Sequence, residues 1–421
     1  VTAVNLFLPC PQGVEALLAD ECTRLLGAQA TVAQQRGGVQ VSGDEVTAMR
    51  LNLESRLAQR VLWPLVHGPY RNEADLYQLA RTVDWQRWMT PRQTLRVDTT
   101  AQRSPLQSLN FASLRIKDAV CDALREATGE RPSVDTRHPD LPLSLHVTAT
   151  HATLYADTSG EALFKRGWRD AGAHKGEAPL KETLAAAMLA AAGWQGRADD
   201  GPLFDPFCGA GTIAIEAAQI ACGIAPGSNR RFAFEGLAPW RAHQSAWRAM
   251  REAAASRVHA STVPIHAGDV SFRMTDFATR NAERAGVSAA IEFKTADALQ
   301  RLPPAPQGTM VLNPPYGERI DAKGQGSGAG RQAIEGVKDA AGQAGNPAEF
   351  FAALAAHWKH HYAGWTAWVL TPEMKLPTLM RLKESRRVPL WNGPIECRLF
   401  RFDMVAGSAR GASAGKAGAR E

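Results

Sequence analysis

Residues 313–316 read Asn-Pro-Pro-Tyr and follow directly on the apolar run Thr309–Leu312. That run has the length and composition of a buried strand rather than a helix. Pro314 and Pro315 end it and hold an extended, stiff backbone at Asn313. The Asn313 side-chain oxygen and the Pro314 carbonyl are then two acceptors fixed at one strand end. Such a pair suits an exocyclic NH2 on a planar ring, whose delocalised lone pair is hard to methylate unless it is turned toward the methyl donor. Tyr316 offers a face on which that ring stacks. Asn313, Pro314, Pro315 and Tyr316 are therefore the catalytic candidates, acting by position and fixed dipoles with no strong base. Taken alone, Asn-Pro is also ordinary loop punctuation, so the chemical reading needs a second motif.

That motif is DPFCGAGTIAIEAA, from Asp205, where a strand must turn sharply into a helix. Gly209 and Gly211 permit backbone geometries closed to other residues and leave room for a ligand against the main chain. A dinucleotide fingerprint wants G-x-G-x-x-G, and Ala214 stands at its third glycine, a replacement that is sometimes tolerated. Asp205 weighs against a dinucleotide. A carboxylate repels a pyrophosphate but attracts the ammonium of an amino-acid moiety, and S-adenosylmethionine carries that ammonium without a phosphate. The expected cofactor loop is Asp205, Pro206, Phe207, Cys208, Gly209, Ala210, Gly211 and Thr212. Asp269 in HAGDVS ends the next strand, placed for ribose hydroxyls, and Asp297 in KTADAL ends the one after, placed for an adenine amino group. Each aspartate alone reads equally as a turn or helix cap. Four strand ends in order on one edge of a parallel sheet line a ligand crevice.

The elements that must position these residues follow from periodicity. From Leu180 onward helix and strand alternate: KETLAAAMLAAAGW, the strand PLFDPF, the helix TIAIEAAQIAC, then strands at 264–268, 291–295, 309–312, 366–370 and 396–404. NPAEFFAALAAHWKHHY begins with Asn346 as cap, Pro347 at the first helical position and Glu349 three residues after the cap. Such alternation predicts a mainly parallel sheet covered on both faces. The front of the chain reads strand, helix, strand, strand, helix over residues 4–53, a small ferredoxin-like α+β unit. Residues 61–157 add a strand (94–99), a helix (111–127) and a hairpin (143–157), with the loop RPSVDTRHPDLPL between. Two stretches, 321–347 and 406–421, are Gly- and Ala-rich and carry too little apolar surface to pack.

The 421 residues allow two or three domains. Lys and Arg total 48 against 42 Asp and Glu, and the resulting pI near 9.1 favours a polyanionic partner. No apolar run is long enough to span a membrane, and the opening VTAVNLFLPCPQG reads as a strand rather than a signal peptide. The six cysteines show no C-x-x-C spacing, which excludes a zinc ribbon or a disulfide framework and fits reduced, cytoplasmic thiols. No metal is expected.

Several stretches together resemble a known family: CPQGVEALLADE, QRGGVQVSG, SRLAQRVLWPL, LRIKDAVCDAL, RPSVDTRHPD, LFKRGWRDAGAHKGEAPLKETLAAAML, DPFCGAGTIAIEAA and LNPPYGER. Over residues 4–405 the chain is similar to the amino-terminal methyltransferase half of the THUMP-domain bacterial 23S rRNA guanine-N2 methyltransferases. The resemblance implies a ferredoxin-like domain (1–60) and a THUMP domain (61–157), both binding RNA. A Rossmann-like class I methyltransferase domain (158–405) with a reversed carboxy-terminal strand follows, then a basic tail (406–421). It places Lys181, Glu182 and Thr183 over the S-adenosylmethionine. It also implies methyl transfer to N2 of a specific guanine in 23S rRNA or a large-subunit precursor. Arginine-rich segments supply the RNA-binding candidates Arg56, Arg60, Arg115, Lys117, Arg131 and Arg137, with Arg166 and Arg169 at the junction, although any single arginine also reads as a solvated surface. Alternatives are a tRNA guanine-N2 methyltransferase of the same layout, a DNA adenine or protein glutamine methyltransferase sharing NPPY, and an RNA-binding assembly factor with a vestigial pocket. Two departures from the family are expected: no second methyltransferase half follows, and the insert 321–347 is longer than the usual loop.

Overall fold

The computed structural model describes residues 3–169, 180–315 and 347–405. Tyr316, the cap Asn346, the insert up to residue 346 and the tail 406–421 lie outside the described residues.

The front half is built on one eight-stranded sheet. Its strands are β1 (Val4–Pro9), β2 (Val32–Gln35), β3 (Gly38–Gly43), β4 (Leu62–Pro69), β5 (Thr94–Ala101), β6 (Ser133–Val134), β7 (Leu141–Val147) and β8 (His151–Asp157), in the order β2-β3-β1-β4-β8-β7-β5-β6. Helices α1 (Glu15–Leu26), α2 (Glu45–Glu54), α3 (Glu73–Arg81) and α4 (Leu109–Thr128) connect them. The strand β4 was not expected from sequence, because Pro64 interrupts it and a proline argues against a central strand. The structure accommodates the proline with a register shift between Pro64 and Val66. β4 closes the ferredoxin-like unit through Phe7↔Leu62 and also carries β8 along most of its length. A division at residue 60 therefore runs just before a strand that both units share.

The rear half is a seven-stranded sheet of β9 (Leu203–Asp205), β10 (Ile265–Asp269), β11 (Ile291–Thr295), β12 (Gly308–Leu312), β13 (Trp365–Thr371), β14 (Arg386–Asn392) and β15 (Ile395–Asp403), in the order β11-β10-β9-β12-β13-β15-β14. The first five strands are mutually parallel, and β15 runs antiparallel to β13. This is the predicted mainly parallel sheet with its reversed last strand. The helices are α5 (Glu182–Ala192), α6 (Thr212–Ala221), α7 (Gln244–Ser256) and α8 (Phe272–Arg284), with two more at Pro347–His361 and Leu376–Met380. Alternation along β12 and β13 sorts the core onto two faces. Val311, Trp368 and Leu370 pack with Ile213 and Ala214 of α6, whereas Met310, Leu312, Ala367 and Val369 pack with Phe351 and Leu354 of the helix Pro347–His361.

The halves meet over a buried seam. Glu216 of α6 is fully buried and pairs with Arg166 at 3.0 Å and Arg56 at 3.3 Å. Asn52 binds Thr158 at 2.8 Å and accepts from Ser159 at 2.6 Å. Trp63, Trp88 and Trp240 stack edge to face across the seam, and Trp240 Nε1 donates to the Glu45 carbonyl.

Candidate active site

β9 ends at Asp205, and the chain reverses through Pro206–Gly211 into α6. Gly209 and Gly211 take φ of +48° and +84°, conformations that side chains other than glycine adopt at a cost. They do different work. A Cβ on Gly211 would stand 3.0 Å from Ala278 Cβ and 3.3 Å from Ile215 Cδ1, so this glycine lets α6 pack on α8. Among the described residues, a Cβ on Gly209 would meet nothing nearer than Met274 Cε at 4.0 Å, so this glycine borders open space there.

The loop is pinned to its neighbours by main-chain bonds. Cys208 N donates to the Gly268 carbonyl at 2.8 Å, and Gly211 N to the Cys208 carbonyl at 2.7 Å. Asp269, at the end of β10, accepts from Gly209 N at 3.1 Å through one oxygen and from Ser271 N at 3.0 Å through the other. It therefore both caps its own turn and fixes the glycine loop. Asp297 lies two residues beyond β11 and accepts from Leu299 N at 2.9 Å.

Asp205 is 1% exposed and accepts from Phe207 N at 3.1 Å. Burial, reinforced by the charge of Asp269, pushes its carboxyl up to about 8. A cation brought beside it would restore the ionised form. Asn313 and Pro314 follow β12 directly, with Asn313 half-buried and Pro314 buried. The ends of β9, β10, β11 and β12 thus bring Asp205, Asp269, Asp297 and Asn313 to one edge of the sheet, as the spacing predicted.

The first turn of α5 is divided. Glu182 is 1% exposed and pairs with Arg169 Nε, while the same guanidinium donates to Thr212 Oγ1 at 2.6 Å and to the Leu180 carbonyl at 3.2 Å. Glu182 is raised by burial against the opposing charge of Arg169. It holds the start of α5 onto the start of α6. Lys181 and Thr183 line a cleft formed with the front half and the β14–β15 turn.

The basic candidates also divide. Arg166 is 2% exposed, and its guanidinium is taken up by Glu216 and the carbonyls of Leu163 and Arg56. Arg56 is engaged by Glu216 and Ile224, Arg60 by Asp157 and Gly160, and Arg169 by Glu182. Arg56, Arg60 and Arg166 hold the seam, Arg169 ties α5 to α6 within the rear half, and Arg166 has no face left for a polyanion. Arg115, Lys117 and Arg131 cluster around a single carboxylate, Asp118, at 3.8, 2.8 and 3.6 Å, and Arg137 is exposed. Around Asp118 itself three cations meet one carboxylate.

Two positioning residues escaped the sequence reading. Asn281 is fully buried in α8 and donates from Nδ2 to the Ala210 carbonyl at 2.9 Å, clamping the glycine loop from behind. The signal was an asparagine on the same stripe as Ala278, Ala282 and Ala285. Arg301 stacks over the Phe204 ring at 4.7 Å, and a Cβ on Gly268 would lie 2.9 Å from its NH1. Nothing local in the sequence marks Arg301 as buried.

Comparison with known proteins agrees with this architecture. Residues 5–62 match the RlmL ferredoxin-like domain, 70–157 the THUMP domain, and 166–333 the RMKL-like methyltransferase domain. The chain is 38% identical over 98% of its length to a protein of Syntrophotalea carbinolica named ribosomal RNA large subunit methyltransferase K/L. It is 35% identical over 96% to the protein of that name from Shewanella amazonensis. It covers 55% and 54% of those proteins, about half the length of each. Among solved structures, the methyltransferase SMU.472 in complex with SAH superposes with a TM-score of 0.80 at 25% identity, covering 97% of this chain and all of that one. TrmN from Thermus thermophilus shares the fold, with a TM-score of 0.61 at 20% identity over 95% of this chain and 99% of its own. The chain thus carries, in order, an RlmL ferredoxin-like domain, a THUMP domain and an RMKL-like methyltransferase domain, each matched by its own family model.

Proposed function

We propose that the protein transfers a methyl group from S-adenosylmethionine to the exocyclic N2 of a specific guanine in 23S rRNA or its large-subunit precursor, in the cytoplasm. The observation that carries the reading is the convergence of Asn313-Pro314 with the carboxylates of Asp205, Asp269 and Asp297 on one sheet edge. The residues present fit the cofactor. Among the described residues, open space borders Gly209 and no cation pairs with the buried carboxyl of Asp205. When bound, S-adenosylmethionine supplies an activated methyl group. Asp205 would face its ammonium, Asp269 its ribose and Asp297 its adenine. Asn313 Oδ1 and the Pro314 carbonyl would accept the two N–H bonds of the guanine amine and turn its lone pair toward the methyl.

The names of the curated relatives support ribosomal RNA as substrate, and the SAH-bound neighbour supports the cofactor. All six cysteines are unpaired and buried, in keeping with a reducing compartment. No helix of the described residues is long and apolar enough to cross a membrane, and they contain no metal-ligand cluster. In this reading residues 1–60 and 61–157 hold the RNA, with Arg115, Lys117, Arg131 and Arg137 on its phosphates. Residues 158–405 carry the chemistry.

Incubation with labelled S-adenosylmethionine and, separately, 23S rRNA, tRNA, DNA or protein tests the reading. Label should enter 23S rRNA. Preferential labelling of tRNA, DNA or protein would replace rRNA as the substrate.

A further inference from the structure

Besides the glycine loop, the active edge carries a second concavity of about 190 Å3. Gln12 comes from the loop between β1 and α1, and Gln59 from the segment before β4. Lys181 and Thr183 come from the start of α5, and Trp391 and Asn392 from the end of β14. The front half is set hard against β14 here. A Cβ on Gly13, at φ +90°, would lie 2.2 Å from the Pro389 carbonyl oxygen, so the walls cannot close further or slide without losing this fit.

The lining has an unusual chemistry for a crevice at a domain seam. Among the described residues it contains a cation, three side-chain amides, a hydroxyl and an indole, and no acidic residue. Thr183 is 1% exposed, and its Oγ1 has no hydrogen-bond partner among the described residues. A buried hydroxyl left in that state costs stability unless a ligand satisfies it. Lys181 Nζ rests 5.1 Å from the Phe164 ring centroid, and it has no carboxylate partner among the described residues.

Strand register fixes where this lies relative to the chemistry. Leu312 pairs with Val369, Val369 with Phe400, and Phe400 with Arg387. Asn313 is therefore level with Val388, and Trp391 stands three residues further along the same direction. Strand spacings put it roughly 14 Å across the sheet and roughly 10 Å beyond Asn313. That separation is a few nucleotides of an RNA strand. The volume falls below the roughly 300 Å3 of an ordinary small-molecule pocket and suits one planar ring with its phosphate.

We infer that this cleft is an RNA subsite that holds one unpaired nucleotide flanking the methylated guanine. The base lies against Trp391, its polar edge meets the amides of Gln12, Gln59 and Asn392, and its phosphate meets Lys181 and Thr183. The subsite rests on the proposed RNA methylation and adds to it a means of selecting the target. A single flipped guanine cannot identify its own site, whereas a second nucleotide read at a fixed distance narrows the choice.

The test uses the full chain with an unmodified 23S rRNA transcript and the variants Trp391→Ala, Trp391→Phe and Gln12→Ala. Trp391→Ala should raise the KM for the transcript about tenfold, the scale of one lost base–aromatic stack. Its kcat and its affinity for S-adenosylmethionine should stay near wild type. Trp391→Phe should restore most of the loss, because it keeps a stacking face, and Gln12→Ala, at an exposed position, should raise KM several-fold. Unchanged KM in Trp391→Ala and Gln12→Ala would overturn the subsite while leaving the proposed function intact. If Trp391→Phe were as impaired as Trp391→Ala, stacking would be excluded and the subsite with it. A wild-type protein that methylates no RNA would instead overturn the function from which the subsite is inferred.

Discussion

The site works through residues whose ordinary properties have been displaced by burial, and Asp205 shows this most directly. Its carboxyl sits at about 8 because it is desolvated and faces Asp269. In the cofactor-free protein it is largely protonated at neutral pH, but a bound ammonium needs the carboxylate. Binding must then release a proton, so affinity should weaken as pH falls below about 8, approaching tenfold per unit. The ligand's own amino group titrates near 8 as well, so calorimetry over roughly pH 6 to 7.5 is the clean window. Asp205→Asn should bind more weakly at the top of that range and lose the slope; a slope that survives the substitution would place the titrating group elsewhere. The same raised value means that the folded state holds a proton the unfolded chain has lost. The free protein should therefore lose stability as pH climbs from the ordinary carboxylate range toward 8. Asp205 was identified from its place before the glycines. Its displaced titration was not legible, because it depends on burial and on a neighbour sixty-four residues away in sequence.

Among elements, the turn from β9 into α6 concentrates the functional geometry, and its two glycines should separate stability from binding. Gly211→Ala puts a Cβ at 3.0 Å from Ala278 on top of a positive φ, so it should cost at least about 1–2 kcal/mol by denaturant unfolding. Gly209→Ala meets open space and should cost about 1 kcal/mol of backbone strain. Its cofactor affinity should fall by more than that, since the new methyl enters the space left for the ligand. Equal losses of stability and affinity in the two variants would merge the roles assigned here. This turn was readable because a strand, two glycines and a helix follow in unbroken order. The rear-sheet strands from β9 to β13 and β15 were equally plain from their apolar runs. β4 and β14 were not, since each carries a proline, Pro64 and Pro389, that local rules count against a strand. Here each is tolerated by what surrounds it: a register shift in β4 and an edge position in β14. The arginines escaped for a different reason, because sequence shows their charge but not which carboxylate each will meet.

For the whole molecule, the buried seam makes the two halves one body, and basic residues of similar sequence appearance have opposite roles across it. Removing Arg166 leaves Glu216 buried with only Arg56 for company. Arg166→Ala should therefore cost about 3–5 kcal/mol in unfolding experiments. Arg115 and Arg131 meet Asp118 only at the surface, Arg115 also lying over the Tyr77 ring, and Arg115→Ala and Arg131→Ala should each change stability by less than about 1 kcal/mol. Each should lower the salt dependence of RNA binding by about one unit of slope. A stable Arg166→Ala protein with weakened RNA binding would reverse that assignment. On the proposed function, all of this serves one event at the end of β12, where Asn313 and Pro314 would orient an amine. Nucleoside mass spectrometry of a 23S rRNA transcript treated with S-adenosylmethionine and either wild type or Asn313→Ala tests that event most directly. The account predicts N2-methylguanosine with wild type. With Asn313→Ala, kcat should fall about 10²–10³-fold at nearly unchanged cofactor affinity. Methylation at another atom, or undiminished turnover by Asn313→Ala, would contradict it.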